Sequence, residues 1–301
     1  MTVAAPQQPA PNQFHEFISA CENDPKQIQD TYEKHRTTRN SSFRGKILSP
    51  GFREWQFDEI LEKILKADKG LIQYEDPRNN ASLLARPPNH ICELIKDIQE
   101  EIVSAAGPCL WLAPRDYLHM TTSELICAKT RAEVDEVMEI FQQKLPLEDI
   151  VSYTLTHSPK LIRPIISYDT TAIALSFLPA AETEDWYTYH HLRRDLWDIM
   201  SESGCQFGAR YNVPSAHVTI ARFAMPPDAD RTKELDDLCK RASVLVEKIE
   251  DINQELQSGD WKRFGHPSRG TWVVGEEKGM QLNQGRSWYG KGEAMLTGRG
   301  F

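Results

Sequence analysis

Four of the nine histidines have Ser or Thr two places on: His35, His119, His217 and His266. Their surroundings separate them. His35 lies in the polar stretch YEKHRTTRNSS, which lacks strand alternation, and His266 in the Gly/Pro segment RFGHPSRG. Both read as solvated loop histidines. His119 (LHMTTSEL) and His217 (PSAHVTIARF) stand instead in apolar segments of strand character. Residues i and i+2 of a strand share a face, so His119 and Thr121 point one way, with Leu118 and Met120 opposite. His217 and Thr219 pair in the same manner, backed by Val218 and Ile220. A single strand of this kind is more simply a buried histidine satisfied by a threonine. The same pair at matching places in a repeated pattern favours chemistry.

That chemistry is phosphodiester cleavage, which needs a base to activate water and an acid to protonate the departing oxygen. An imidazole of ordinary pKa, about 6.5, holds either role near neutrality. Two imidazoles facing each other across phosphorus suit in-line displacement. The Thr121 and Thr219 hydroxyls can donate to non-bridging oxygens. This design requires no metal and no cofactor. Structural zinc is disfavoured: the six cysteines are scattered without a C-x-x-C, and adjacent His190 and His191 point about 100° apart on a helix.

The elements that would position these residues repeat. ASLLARPP is a short strand closed by proline, followed by an amphipathic helix from Asn89 to about Ala105 with Ile91, Leu94, Ile95, Ile98 and Ile102 inward. CLWLAPRDYLHMTTSELI reads as a strand pair turning at Ala113-Pro114, and Thr130 to Lys144 as a helix. Val151–Thr156, Ile162–Ser167 and Thr171–Leu178 are rich in β-branched residues and read as strands. TAIALSFLP then echoes ASLLARPP, with a helix from Glu184 to Ser201, the His217 strand, and a helix from Asp230 to Ile252. TWVVGEE reads as the last strand. Leu83 to His119 and Ile173 to His217 are offsets of 36 and 44 residues, consistent with a diverged duplication. The predicted fold is α+β: two antiparallel sheets facing a central cleft, helices outside. Neither lobe is large enough to stand alone, so residues 80–301 form one bilobal domain. Residues 1–12 read as a disordered tail and 13–79 as a helical N-terminal extension, with a basic loop at KHRTTRNSSFRG. The tail GRSWYGKGEAMLTGRGF reads as a loop covering an apolar edge, although its Gly, Trp288 and Tyr289 have the composition of a base-stacking segment.

Composition bounds the partners. With 301 residues, 40% hydrophobic and 26% charged, the chain reads as soluble and globular. A formal charge of −9 argues against long duplex nucleic acid and favours a small substrate or a nucleic-acid end. No apolar run reaches membrane-span length and no signal-peptide core is present, which points to the cytoplasm or nucleus. Oligomeric state is not legible.

Two H-x-T motifs roughly a hundred residues apart, on strands of a duplicated α+β lobe, resemble the 2H phosphoesterase superfamily. RYNVPSAHVTIARF and TWVVGEEKG look similar to its fungal RNA ligase/cyclic nucleotide phosphodiesterase branch. The resemblance spans about Asn80 to Lys278. It implies His119 and His217 as catalytic residues, Thr121 and Thr219 as phosphate-binding, and metal-independent opening of 2′,3′-cyclic or related phosphodiesters of nucleotides or RNA ends. By analogy His119 acts on the leaving oxygen and His217 on water. A non-catalytic nucleotide or RNA-end binder would use the same cleft. Ligase chemistry is disfavoured, because KADKG at Lys66 does not match K-x-D-G. Around the motifs, Tyr117 shares the parity of His119 and is a candidate to line the cleft, as are Arg115 and Tyr211 beside the two strands. Ser215 has the parity of His217 and extends its polar face. Arg222 has the opposite parity and reads as a salt bridge or lobe contact.

Overall fold

The computed structural model describes residues 12–182, 186–205 and 214–301. The expected tail, save Asn12, and the candidate Tyr211 lie outside these. In chain order come helices α1 (Gln13–Ala20), α2 (Pro25–Ile47) and α3 (Glu59–Asp68), then β1 (Asn79–Ala85) and α4 (Asn89–Ala106). Next are β2 (Leu110–Leu112), β3 (Met120–Lys129), α5 (Arg131–Lys144) and α6 (Leu147–Val151). The second half holds β4 (Lys160–Tyr168), β5 (Ala172–Pro179), α7 (Tyr189–Ser201), β6 (Ala216–Phe223) and α8 (Arg231–Ser258). Three short strands close the chain: β7 (Trp272–Val273), β8 (Met280–Gly285) and β9 (Glu293–Thr297).

Two antiparallel sheets result, ordered β3-β1-β8-β9 and β2-β6-β5-β4-β7. The α+β architecture with two sheets facing a cleft is the one expected, and β3 packs beside β6 across it. Local signals set the helix ends. Pro25 follows the Asp24 cap of α2, and Thr130 and Glu133 form a reciprocal capping box on α5. On α4 the predicted stripe Ile91, Leu94, Ile95, Ile98 and Ile102 is fully buried, each side chain contributing roughly 1.5–3 kcal/mol by transfer from water.

The lobes interlock through their helices. α4 leaves the first sheet but packs on α8, β2 and β6 of the second, whereas α7 leaves the second and packs against β3 of the first. Neither sheet is covered by its own connections alone.

Four local expectations change. β2 does not pair with β3: it joins β6 in the other sheet, with Trp111 opposite Arg222. Val151–Thr156 is no strand but the end of α6 and a 3₁₀ turn, because Pro146 opens a helical turn that buries Ile150 and Val151. KHRTTRNSSFRG is helical throughout. There the buried Arg36 donates to the Arg163 and Ser176 carbonyls, and Asn40 to Ile166 O, so tertiary anchors override weak propensity. TWVVGEE is not the last strand, since β8 pairs with β1 and β9 with β8 to complete the first sheet. Glycine in this tail serves close approach: a Cβ on Gly298 would stand 1.8 Å from the Val151 carbonyl oxygen.

The extension is built into the fold. Phe14, Ile18, Ile28 and Tyr32 are buried in the main core. Tyr32 Oη lies 2.9 Å from Nδ1 of the fully buried His190, which also packs against Phe14 and Phe17. His191 accepts from Thr188 N at Nδ1 and donates from Nε2 to Asn23 Oδ1. The adjacent histidines thus fasten α7 to the N-terminal helices.

Candidate active site

His119 and Thr121 from the first lobe and His217 and Thr219 from the second line one cavity of about 70 Å³. His119 stands one residue before β3, on a loop held by Arg86. That guanidinium donates to the Asp116, Leu118 and Lys291 carbonyls and to Gln281 Oε1. His217 is the second residue of β6, opposite Ser176 of β5. His119 Nδ1–H donates to Tyr117 O at 2.7 Å, which leaves Nε2 as the nitrogen available to a ligand. Ser215 Oγ lies 3.0 Å from His217 Nδ1 and can accept its proton in the same way. Neither the Thr121 nor the Thr219 hydroxyl is shown in a hydrogen bond among the described residues, and both face the cavity.

Three charged side chains share this cavity: Glu124, Arg193 and Arg222. Parity places Glu124 and Arg222 on the wrong face, and a β-bulge in each strand corrects it. On β3 the register steps from Ser123 opposite Leu83 to Thr121 opposite Leu84, leaving Thr122 as the extra residue. On β6 it steps from Ala221 opposite Ile173 to Thr219 opposite Ala174, leaving Ile220 extra. One inserted residue flips every later side chain to the other face. Each lobe therefore aims its histidine, the residue two on and the residue five on into the cleft. The expectation for Arg222 is corrected to that extent. It lies 3.9 Å from Asp58, as a salt bridge, and it also lines the cavity.

Arg193 arrives from α7, a helix that crosses from the other lobe. It is buried, donates from Nε to Thr122 O, and stacks 4.4 Å above the Phe14 ring. No strand pattern marks it. With two guanidiniums and one carboxylate these side chains carry a formal net charge of one positive, which suits a monoanion.

Both rings are held neutral at pH 7. Burial pushes His119 down to about 4, with Arg86 and Arg222 adding to the effect and the Tyr117 carbonyl opposing it. Burial also lowers His217 to about 4, assisted by Arg193, Arg39, His119 and Arg222.

Of the remaining candidates, Tyr117 sits in a 3₁₀ turn and touches the site through its carbonyl, not its ring. Arg115 is exposed and bound to Glu93 and Asn89, outside the cavity. Tyr211 is outside the described residues. Among the described residues no cluster of His, Cys, Asp or Glu could hold a metal ion, and no helix is long and apolar enough to cross a membrane. A roomier groove of about 600 Å³ lies between α2, β4 and α8, away from both histidines.

Among solved structures the chain is similar to Kluyveromyces marxianus Usb1 with uridine monophosphate. Identity is 11% and the TM-score 0.36, over 74% of this chain and 97% of that one. No family model matches the sequence, and no curated protein matches it. A likeness that slight carries nothing for the site, whose reading rests on its own geometry.

Proposed function

We propose that this protein is a metal-independent phosphodiesterase that opens 2′,3′-cyclic or related phosphodiesters of nucleotides or RNA ends by two-histidine acid/base catalysis. The observation that carries the proposal is the convergence of both H-x-T pairs on one cavity of net single positive charge. The diester lies between the imidazoles, with its non-bridging oxygens toward the two threonine hydroxyls and the guanidiniums of Arg193 and Arg222. His119 is the acid, because the Tyr117 carbonyl supports its protonated form. His217 is the base, because three guanidiniums, Arg193, Arg39 and Arg222, and the His119 ring press on it when charged. Water loses a proton to His217 and attacks phosphorus, and His119 protonates the leaving ribose oxygen.

The test is hydrolysis of the four 2′,3′-cyclic nucleotides with EDTA present. Wild type should turn over, while His119→Ala and His217→Ala should each fall by at least ~10²-fold while retaining the wild-type circular dichroism. Equal rates in folded single mutants would refute the mechanism. A second reading, a non-catalytic binder of the same ligands, draws on the neutrality of both rings at pH 7, which leaves no acid ready in the free protein. It expects binding without turnover at any pH.

A further inference from the structure

The histidine cavity, about 70 Å³, is far smaller than the ~300–1,000 Å³ of pockets that enclose a whole ligand. It has room for a phosphate group, and the rest of a nucleotide must lie elsewhere. A second cavity of about 240 Å³ shares Trp288 with it. Its walls come from the segment leading into β1 and from the loop between β8 and β9. Ala67 and Tyr74 stand on the first side, Trp288 and Tyr289 on the second, and Arg78 and Asn80 also line it.

Its chemistry differs from that of the histidine cavity. Arg78 is engaged by Asp76 through two hydrogen bonds, of 2.8 and 2.7 Å, and lies 4.4 Å over the Trp288 ring. Arg286 is engaged by Glu75. Both cations are already matched by carboxylates, so a second phosphate finds little to bind there. What the lining offers is aromatic surface and one amide donor. Asn80 is 1% exposed. Its Oδ1 accepts from Ala128 N at 2.9 Å, but its Nδ2 has no hydrogen-bond partner among the described residues. A buried N–H left in that state favours a ligand that brings an acceptor.

We infer that this cavity is a nucleobase subsite, taking the flat, uncharged ring of a nucleotide whose phosphate lies between His119 and His217. The inference rests on the phosphodiesterase reading for the phosphate end. Asp58 ties the two cavities together: it caps α3 through Leu61 N, accepts from Tyr289 Oη, and lies 3.9 Å from Arg222. The N-terminal extension thereby builds one wall of the substrate site.

The experiment compares kcat/KM for 2′,3′-cyclic nucleotides with that for ribose 2′,3′-cyclic phosphate, which has no base. Wild type should prefer the nucleotides by about 10-fold or more, the scale of one base on an aromatic platform. Asn80→Asp keeps the acceptor for Ala128 N and removes the donor, and Ala67→Trp fills the cavity from α3. Each should reduce the preference toward unity, with thermal melting confirming the fold. No preference in wild type, or one unchanged in both folded variants, overturns the subsite. Calorimetric titration with the four nucleosides, which lack phosphate, runs in parallel. Nucleoside binding that Ala67→Trp abolishes, in the absence of any turnover, would sustain the subsite and sink the phosphodiesterase reading. Absence of both would sink both.

Discussion

Proton concentration is the perturbation that tests the site most sharply. Acid/base hydrolysis needs one imidazolium and one imidazole, yet burial holds His119 and His217 each at about 4. In the free protein the singly protonated form then falls tenfold per pH unit above that value, to ~10⁻¹ at pH 5 and ~10⁻³ at pH 7. Repulsion between the two rings, one cause of the His217 shift, keeps the second proton off until lower pH. Because kcat/KM reports the free protein, it should rise ~100-fold from pH 7 to pH 5 for any 2′,3′-cyclic nucleotide. The profile of kcat should lie at higher pH, since a bound diester anion favours the imidazolium. Initial rates at constant ionic strength measure both. A kcat/KM that is flat from pH 7 to 5, or that declines with an apparent pKa near 6.5, would refute the desolvated, cation-flanked site. The same depression sets a stability limit. Unfolded imidazoles titrate near 6.5 and the folded ones near 4, so the unfolded chain binds more protons between those values. The stabilisation is present above about 6.5 and is lost as pH falls toward 4. His191, at about 4, and His190, at about 2, act in the same direction, both through burial first. The melting temperature should therefore fall between pH 7 and pH 5, and the rate assays belong well below it.

Three further perturbations probe the bulges and the extension. Arg222→Ala should cut kcat/KM at least ~10-fold by removing a charge-assisted contact to the diester. It should also move the kcat/KM profile to higher pH, because Arg222 depresses both histidines; an unmoved profile would show that Arg222 does not act on the rings. Arg36→Ala should lower stability in urea by ~2–3 kcal/mol, since the Arg163 and Ser176 carbonyls lose a buried donor. By the same reasoning, deleting residues 13–47 should abolish cooperative unfolding, and a truncated chain with a wild-type melting curve would contradict the integration of α1 and α2 into the core.

The histidine and threonine positions were legible because a strand has period two, and a polar pair on an apolar strand stands out against it. Glu124 and Arg222 were not, because period two fails at a bulge and neither Thr122 nor Ile220 announces one. Arg193 was hidden for another reason: its helix crosses to the opposite lobe, a fact of packing that no local window contains. The same limit applies to TTRNSS in α2, helical because Arg36 and Asn40 find carbonyls on the sheet, and to Gly298, which admits Val151 where sequence alone shows a loop. The duplication itself was readable, and the structure extends it. Both strands insert their extra residue three places after the histidine and return the fifth to the cleft, so the lobes share even their departure from regular pairing. At that fifth place one lobe carries a carboxylate and the other a guanidinium. Two identical lobes would give identical histidines, whereas acid/base chemistry needs one ring to hold a proton while the other accepts one. Arg222 depresses both rings, so the contrast lies nearer each: the Tyr117 carbonyl raises His119, whereas Arg193 and Arg39 lower His217. The symmetry of the fold supplies two imidazoles, and on the phosphodiesterase reading these unequal neighbours set them apart.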